Sequence, residues 1–360
     1  MESATVMLRD LFTEIAKTPL FEWTLRPEWS HLGIELIVYV IFWLCLRHAR
    51  RTGAIDAGGP RRGAPSQEWV AAMIAAIGLT LVIEILLSHQ LVPSDGGQVR
   101  LYEYPPGSFL IQIVGVPIWV PIGWSFILYV TMRTTTLLGV PWYVAPLLDG
   151  FLALNLDLTL DPIAVHRGWW DWLPGRPGTG VDPNSYFGIP LVNFMGWFVI
   201  VASFSFFIRF FFRWRRQRGR TPAPGVLGNL MPAAVAAGAA FLVVLLYQFA
   251  VAPRLTPVTT TLAWLAAAII VVANMRRFYF DSPLERLFLA VPVVFHSYSI
   301  LLLFFTKAQS PPSQGTGWLM IEEPELAIFM PVAALLGLWL YVWPYLGTLA
   351  LRRPASAGPT

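Results

Sequence analysis

Charge is what this sequence has least of. Only 13% of its 360 residues are Asp, Glu, Lys or Arg, about half the share usual in a soluble domain. Apolar types make up 56% and mean hydropathy is +0.59. That balance excludes a water-soluble enzyme and a disordered chain. Cysteine is nearly absent: Cys45 stands alone in an apolar run, so neither an intrachain disulfide nor a cysteine zinc site can form. The five histidines (His31, His48, His89, His166 and His296) are scattered. They form no His-x-x-x-His or His-x-x-His-His box of the di-iron desaturase kind, and no Glu-linked pair that suits zinc. No Gly-x-Gly-x-x-Gly run follows a strand pattern, which argues against a flavin or nicotinamide domain. These absences predict a protein with no metal and no cofactor.

Aromatic and apolar runs are abundant, with 16 Trp and 24 Phe. Nine segments are long enough to span a bilayer, or nearly so, at about 32–47, 69–91, 109–131, 139–160, 188–212, 230–252, 257–274, 284–306 and 326–350. The sixth and seventh are parted only by Ala252–Pro257, a tight turn. The expected fold is all-α: a polytopic transmembrane bundle over 32–350, behind a polar N-terminal segment 1–31 and before a tail 351–360. Acids and bases mixed through 1–31 are unlike a cleavable signal, so the first span reads as retained. Alternate loops hold sixteen of the 25 Lys and Arg, against eight on the other side, with Arg209 inside a span. The positive-inside rule then places the N-terminus outside and the C-terminus in the cytoplasm. The net charge of +4 sits in short clusters beside apolar runs, which suits loops at a membrane better than nucleic-acid binding.

Ionisable groups inside a span are costly, which makes them candidates for function. Under this orientation most share one depth, near the outer ends. Glu35 opens the first span. Glu84 lies in the outer part of the second, with His89 a turn beyond. Gln112 is near the start of the third, and Asn155, Asp157 and Asp161 occupy the end of the fourth. Asn193 is in the second turn of the fifth, while Asp149, near the middle of the fourth, is deeper. Any one of these has a plainer reading as a cap or an interfacial side chain. Together they predict one cavity, with Glu84, Gln112, Asp157, Asp161 and Asn193 around it and Trp and Phe lining the rest. Asp157 and Asp161 are four apart and share a helix face. Two such carboxylates in an apolar setting split their proton affinities, which puts an acid and a base in one place. Pro162 is expected to end the helix after Asp161. The loop beyond carries Trp169, Trp170 and Trp172, then Gly175, Pro177, Gly178 and Gly180. It reads either as an interfacial aromatic belt or as a lid of rings over an apolar site. His296, mid-span beside Ser297 and Tyr298, reads as a histidine satisfied by a neighbour.

Three stretches are more specific. The first carries Asp157, Asp161, Pro162 and Ala164, the second Gly168, Trp170 and Trp172, and the third Tyr186, Gly188, Pro190, Asn193, Phe194, Gly196 and Trp197. Their pattern, Asp-x-x-x-Asp-Pro-x-Ala, Gly-x-Trp-x-Trp and Tyr/Phe-Gly-x-Pro-x-x-Asn-Phe-x-Gly-Trp, resembles the membrane carotenoid-biosynthesis family that contains the carotenoid 1,2-hydratases. Those enzymes act on the acyclic ψ ends of γ-carotene-like and bisanhydrobacterioruberin-like carotenoids. A fainter likeness lies upstream, at Glu84, at Tyr102, Glu103 and Tyr104, and along Gly115–Trp124. The resemblance covers about 85–200. It implies an enzyme of the bacterial cytoplasmic membrane whose partners are a lipophilic carotenoid and the bilayer.

The implied reaction is hydration of a terminal double bond without a cofactor. Protonating a trisubstituted alkene gives a tertiary cation, to which water adds. The resemblance makes Asp157 the acid and Asp161 its partner, or the reverse. Asn193 would position water or a carboxylate, and Glu84 would complete the catalytic set. Trp124, Trp169, Trp170, Trp172, Tyr186, Phe194 and Trp197 would bind the substrate, since aromatic faces stabilise a cation by roughly 0.5–2 kcal/mol each. Gly188 and Pro190 would shape the start of the fifth span, and Gly196 would permit close helix packing. A rival reading is a prenyltransferase with magnesium diphosphate at Asp157 and Asp161, although no second Asp-rich motif is present. Another is a non-catalytic carotenoid-binding protein. A proton-coupled transporter fits less well, because the inner half is poor in acids.

Overall fold

The computed structural model describes residues 2–24, 29–52, 54–55, 67–94, 97–172, 185–187, 189–219, 225–278, 285–306 and 319–351. Helix α1 (Glu2–Lys17) comes first. Nine longer helices follow among the described residues, one for each apolar run. They are α2 (Trp29–Ala49), α3 (Glu68–Ser88), α4 (Trp119–Leu137), α5 (Ala145–His166), α6 (Leu191–Gln217), α7 (Leu227–Leu246), α8 (Pro257–Asn274), α9 (Arg286–Phe305) and, after the single turn α10 (Leu319–Glu322), α11 (Pro324–Leu351). Seven are long and apolar enough to cross a membrane, as in an integral membrane protein. The two that fall short, α4 and α5, are the innermost. Helix α4 is packed by α2, α3, α5 and α9 and buries nearly every side chain. A helix shielded by protein on all sides can carry Thr131, Arg133, Thr135 and Thr136 where a lipid-facing one cannot.

The all-α expectation needs qualifying at the end of the bundle where α3, α5 and α7 finish and α4 and α6 begin. Residues 111–117, expected within a span, form strands β5 (Ile111–Ile113) and β6 (Val116–Pro117) instead. Val114 and Gly115 between them both have positive φ, at 49° and 73°, the two-residue turn that matches strand twist. An apolar run with β-branched residues flanking a turn does not distinguish strand from helix by hydropathy. The described residues of the segment 1–31 hold α1, a strand and the start of α2. Strand β1 (Phe21–Trp23) pairs antiparallel with β5, and α1 is tied down through Thr18 Oγ1 to His89 Nε2 at 2.9 Å and Arg100 to Glu14 at 3.3 Å. Further hairpins join β2 (Leu91–Ser94) to β3 (Gly97–Arg100) and β8 (Ser185–Tyr186) to β9 (Ile189–Pro190), while β4 (Tyr102–Glu103) pairs with β7 (Asp171–Trp172).

Pro162 does not end α5; the helix runs on to His166. A proline inside a helix forfeits one hydrogen bond and crowds one carbonyl, and here the last turn closes well beyond it. Trp169 N–H reaches the Ala164 carbonyl at 2.8 Å and Gly168 N–H the Val165 carbonyl at 2.9 Å, with Gly168 at φ 65°. This Schellman closure needs the left-handed conformation that glycine adopts freely. It also turns Trp169 and Trp170 back toward the bundle.

One buried polar network ties the centre together. Asp149 on α5 is fully buried and receives hydrogen bonds from Thr135 at 2.7 Å, Ser205 at 2.5 Å and Arg209 at 3.2 Å. Arg209, also buried, donates further to the Met132 carbonyl at 2.8 Å and to Thr136 at 3.0 Å. Three helices, α4, α5 and α6, are thereby clamped by one compensated ion pair.

Candidate functional site

A cavity of about 130 Å³ lies near the end of the bundle that carries the hairpins. It is similar to the ~150 Å³ cavity known to hold a benzene ring, so it has room for one branched end group and not for a long polyene. Helix α3 contributes Glu84, α5 contributes Asp161 and α6 contributes Asn193, Gly196 and Trp197. Among the described residues, no lysine, arginine or histidine lines it.

The acidic side of the cavity is made by two helices. Asn193 Nδ2 donates to Asp161 Oδ2 at 2.5 Å and to Asp157 Oδ2 at 3.2 Å. One amide thus bridges two carboxyl groups separated by one turn of α5. Asp161 faces the cavity; Asp157, wholly buried, sits behind it with Oδ1 unpartnered. Asn193 can reach both because α5 and α6 pack side by side, and Gly150 lets the Phe198 ring come so near that a Cβ there would stand 2.8 Å from it.

On the α3 side, Glu84 is held by three donors. The Tyr102 and Tyr104 hydroxyls both donate to Oε2, the latter at 2.9 Å, and Trp124 Nε1 donates to Oε1 at 3.0 Å. Burial, reinforced by the Glu84 carboxylate, pushes both phenols well above the usual tyrosine range, so they keep their protons and donate. Tyr102 and Tyr104 reach one carboxylate because residues two apart in an extended chain point the same way.

Aromatic rings and aliphatic side chains close the rest. Trp124 lies 4.0 Å from Trp197 between ring centroids, and Trp119 stacks on Trp170 at 6.2 Å and 29°. Pairing of β4 with β7 lays Trp172 against Tyr102 at 4.8 Å. Phe295 of α9 is the one phenylalanine among the lining residues, so the expected Trp and Phe lining is in fact Trp and Tyr.

Not every expected residue arrives here. Trp124, Trp170, Trp172 and Trp197 line the cavity, but Trp169, Tyr186 and Phe194 do not. Trp169 is buried one layer behind the cavity, where it stacks on Tyr298, bonds Ser30 at 3.5 Å and meets the cavity-lining Trp119 edge-on at 6.1 Å. Tyr186 and Phe194 pack on each other at 5.5 Å in a separate apolar cluster with Ile189 and Leu154. Gln112 instead spans its own hairpin, accepting from Gly107 N–H at 3.0 Å and donating to the Gly115 carbonyl at 3.1 Å. Asn155 points to α11, donating to the Ala333 carbonyl at 2.8 Å. Glu35 accepts the Leu110 N–H at 3.0 Å. His296 meets Thr159 Oγ1 at 2.9 Å. Gly175, Pro177, Gly178, Gly180 and Gly188 lie outside the described residues. Tyr102, Tyr104 and Trp119 fall in the fainter upstream likeness but carry no expected role, and Gln248 lies outside it; all four line the cavity, and the alternation of Tyr102 and Tyr104 is a signal for the first two.

Among the described residues no three His, Cys, Asp or Glu side chains are grouped as a metal would need. None of the curated proteins and none of the solved structures matches this chain. The family model described as carotenoid biosynthesis protein matches residues 37–261. That stretch runs from α2 into α8 and contains Glu84, Tyr102, Tyr104, Asp157, Asp161 and Asn193. With well over half of its length covered by this match, the chain belongs to the carotenoid biosynthesis protein family.

Proposed function

We propose that this protein hydrates the terminal ψ-end double bond of an acyclic carotenoid, giving a tertiary alcohol. Family membership supports a role in carotenoid biosynthesis. The observation that carries the specific reaction is the pairing, within one small aromatic cavity, of a carboxyl pair bridged by Asn193 with a separately anchored Glu84 and no cation.

Two carboxylates sharing one amide in an apolar interior repel each other, and the pair relieves this by holding a proton. Asp161, which faces the cavity, delivers that proton to the less substituted alkene carbon. Asp157 behind it accepts the Asn193 hydrogen bond and keeps the pair charged. The product of protonation is a tertiary cation. It lies among Trp124, Trp170 and Trp197, whose ring faces attract it by about 0.5–2 kcal/mol each. Glu84, held in place by three donors, presents fixed carboxyl oxygens to the cation. Water adds to the cation, and the Asp161 carboxylate takes the proton lost from the oxonium, which restores the acid. The residues in these roles are Asp157, Asp161, Asn193 and Glu84, with Trp124, Trp170, Trp172 and Trp197 around the substrate.

The same reading places nine spans in a bacterial cytoplasmic membrane, with the N-terminus and the cavity toward the outer side. A polyene can then lie in the bilayer and present one end near interfacial water. Expression in a lycopene-producing bacterium tests it: the pigment gains the mass of one water, and in water enriched in heavy oxygen the hydroxyl carries the label. Unchanged pigment, a hydroxyl oxygen drawn from O₂, or EDTA-sensitive consumption of an allylic diphosphate would overturn the reading.

A further inference from the structure

Hydration needs water in a cavity whose mouth is mostly apolar. Partly exposed residues lining it include Leu87, Leu101, Val192 and Trp172. The amide side chains among the partly exposed lining residues are Asn193, already committed to the Asp pair, and Gln248. Gln248 lines the cavity, belongs to neither the Asp pair nor the Glu84 cluster, and donates through Nε2 to Gln90 Oε1 at 3.0 Å. Both glutamines are partly exposed.

The local backbone is built to present Gln248. Helix α7 ends in a π-helical turn, Tyr247–Val251, an uncommon form that recurs at functional sites. The turn seats Tyr247 against α6, where its hydroxyl donates to the Val192 carbonyl at 2.7 Å. The next residue is thereby aimed at the cavity. Gln90 is equally fixed: its carbonyl accepts Leu101 N–H at 2.8 Å and its own N–H reaches the Leu87 carbonyl at 3.2 Å. The amide pair therefore joins the anchored chain after α3 to the turn that ends α7, with Gln248 on the cavity and Gln90 beside it.

We propose that the Gln90–Gln248 pair is the port through which water reaches the cavity, and that Gln248 is the positioning residue for the attacking water. This rests on the hydration reading above. With Nε2 committed to Gln90, Gln248 Oε1 accepts one O–H of the water, which leaves an oxygen lone pair free for the cation. If water does not arrive, the cation returns a proton to the Asp161 carboxylate. Loss from the carbon just protonated, or from a neighbouring methyl, regenerates an alkene. In heavy water the first step adds deuterium; return of that same deuteron regenerates unlabelled pigment, whereas loss of a hydrogen from a neighbouring methyl releases an alkene that retains the label.

The test uses membranes containing the full chain, incubated with an acyclic carotenoid in D₂O, with alcohol and deuterated alkene both measured by mass. Gln248→Leu is expected to lower alcohol by about tenfold, the scale of one lost orienting hydrogen bond, while deuterium continues to enter the unhydrated pigment. Gln248→Met, nearly the same size, is expected to do the same and guards against a misfolded leucine variant. Gln90→Leu shifts the ratio in the same direction by less. A purely structural role would lower both products together. An alcohol-to-deuterated-alkene ratio equal to wild type in both Gln248 variants would overturn the assignment. A wild-type protein that yields neither product overturns the hydration reading itself, and the port with it.

Discussion

Two acidic regions on one helix behave differently. Asp149 and Asp157 are both wholly buried on α5, eight residues or about 12 Å apart. Asp149 meets a guanidinium and two hydroxyls, and the guanidinium is itself satisfied by α4. Asp157 and Asp161 meet one shared amide, beside a cavity with no basic residue in its lining. A compensated charge in a low-dielectric interior stays as it is and braces its neighbours. An uncompensated pair is a reservoir for a proton. On the proposed function, burial alone does not mark a functional acid; the absence of a counter-charge beside open space does.

The comparison breaks most sharply by substitution at the uncompensated pair. Asp161→Asn keeps size and hydrogen bonding but cannot donate a proton, so turnover of a ψ-end carotenoid should fall by about 10²–10⁴-fold, the usual contribution of general acid catalysis. Asp157→Asn should fall nearly as far. Pigment analysis reads both, and unaltered melting in detergent should accompany both. Retained product in the two variants would favour a binding protein.

The compensated pair should answer in the opposite currency. Arg209→Met leaves Asp149 buried without its partner, and stability should drop by about 3–5 kcal/mol. Melting of the purified protein reads the loss, and Asp149→Leu combined with Arg209→Met should recover most of it. Activity per folded molecule should change little throughout. A variant that melts normally yet loses turnover would place Asp149 in the chemistry and remove the distinction.

Smaller effects sharpen the site side. Glu84→Gln should slow turnover by roughly 10–100-fold, as loss of one preorganised electrostatic contact does at the weaker end. Tyr102→Phe and Tyr104→Phe should each cost less, because two donors to Glu84 remain. Rising pH should lower the rate: the group that must donate holds its proton below its pKa and loses it above. A magnesium–diphosphate site needs ionised carboxylates and shows the reverse slope, so a pH series with and without EDTA separates the two. The smallest change belongs to the tryptophans. Trp170→Phe should weaken turnover several-fold through the lost ring face, whereas Trp169→Phe should lower melting more than turnover, since that ring does not line the cavity but packs on Tyr298 and behind Trp119.

Much of this was legible in the chain. Each apolar run became a helix, because a membrane leaves a backbone no partner but itself. The four-residue spacing of Asp157 and Asp161 and the placing of Asn193 early in the next helix were enough to expect their meeting. The misreadings share a cause. Ile111–Pro117 has the hydropathy of a span and the geometry of a hairpin, since hydropathy records burial and not conformation. Pro162 was given a helix-ending role that Gly168 fills, because a proline forfeits one hydrogen bond whereas a left-handed residue redirects the chain.

Hydropathy and local spacing suffice for where the apolar helices fall along the chain and for the clustering of Glu84, Asp161 and Asn193 near one end of the bundle. They do not suffice for the ends of α4 and α5, which lie six to ten residues from where the apolar runs end. They are one-dimensional quantities set by desolvation and by the 3.6-residue repeat. Partner choice is another matter. Asp149 finds Arg209 across 60 residues, Glu84 finds Trp124 across 40, and Gln248 finds Gln90 across 158. Those pairings depend on how each helix is rotated about its own axis. A helix apolar on every face carries no stripe to declare that rotation, so packing with its neighbours sets it, and with it which carboxylate is neutralised and which is left facing a cavity.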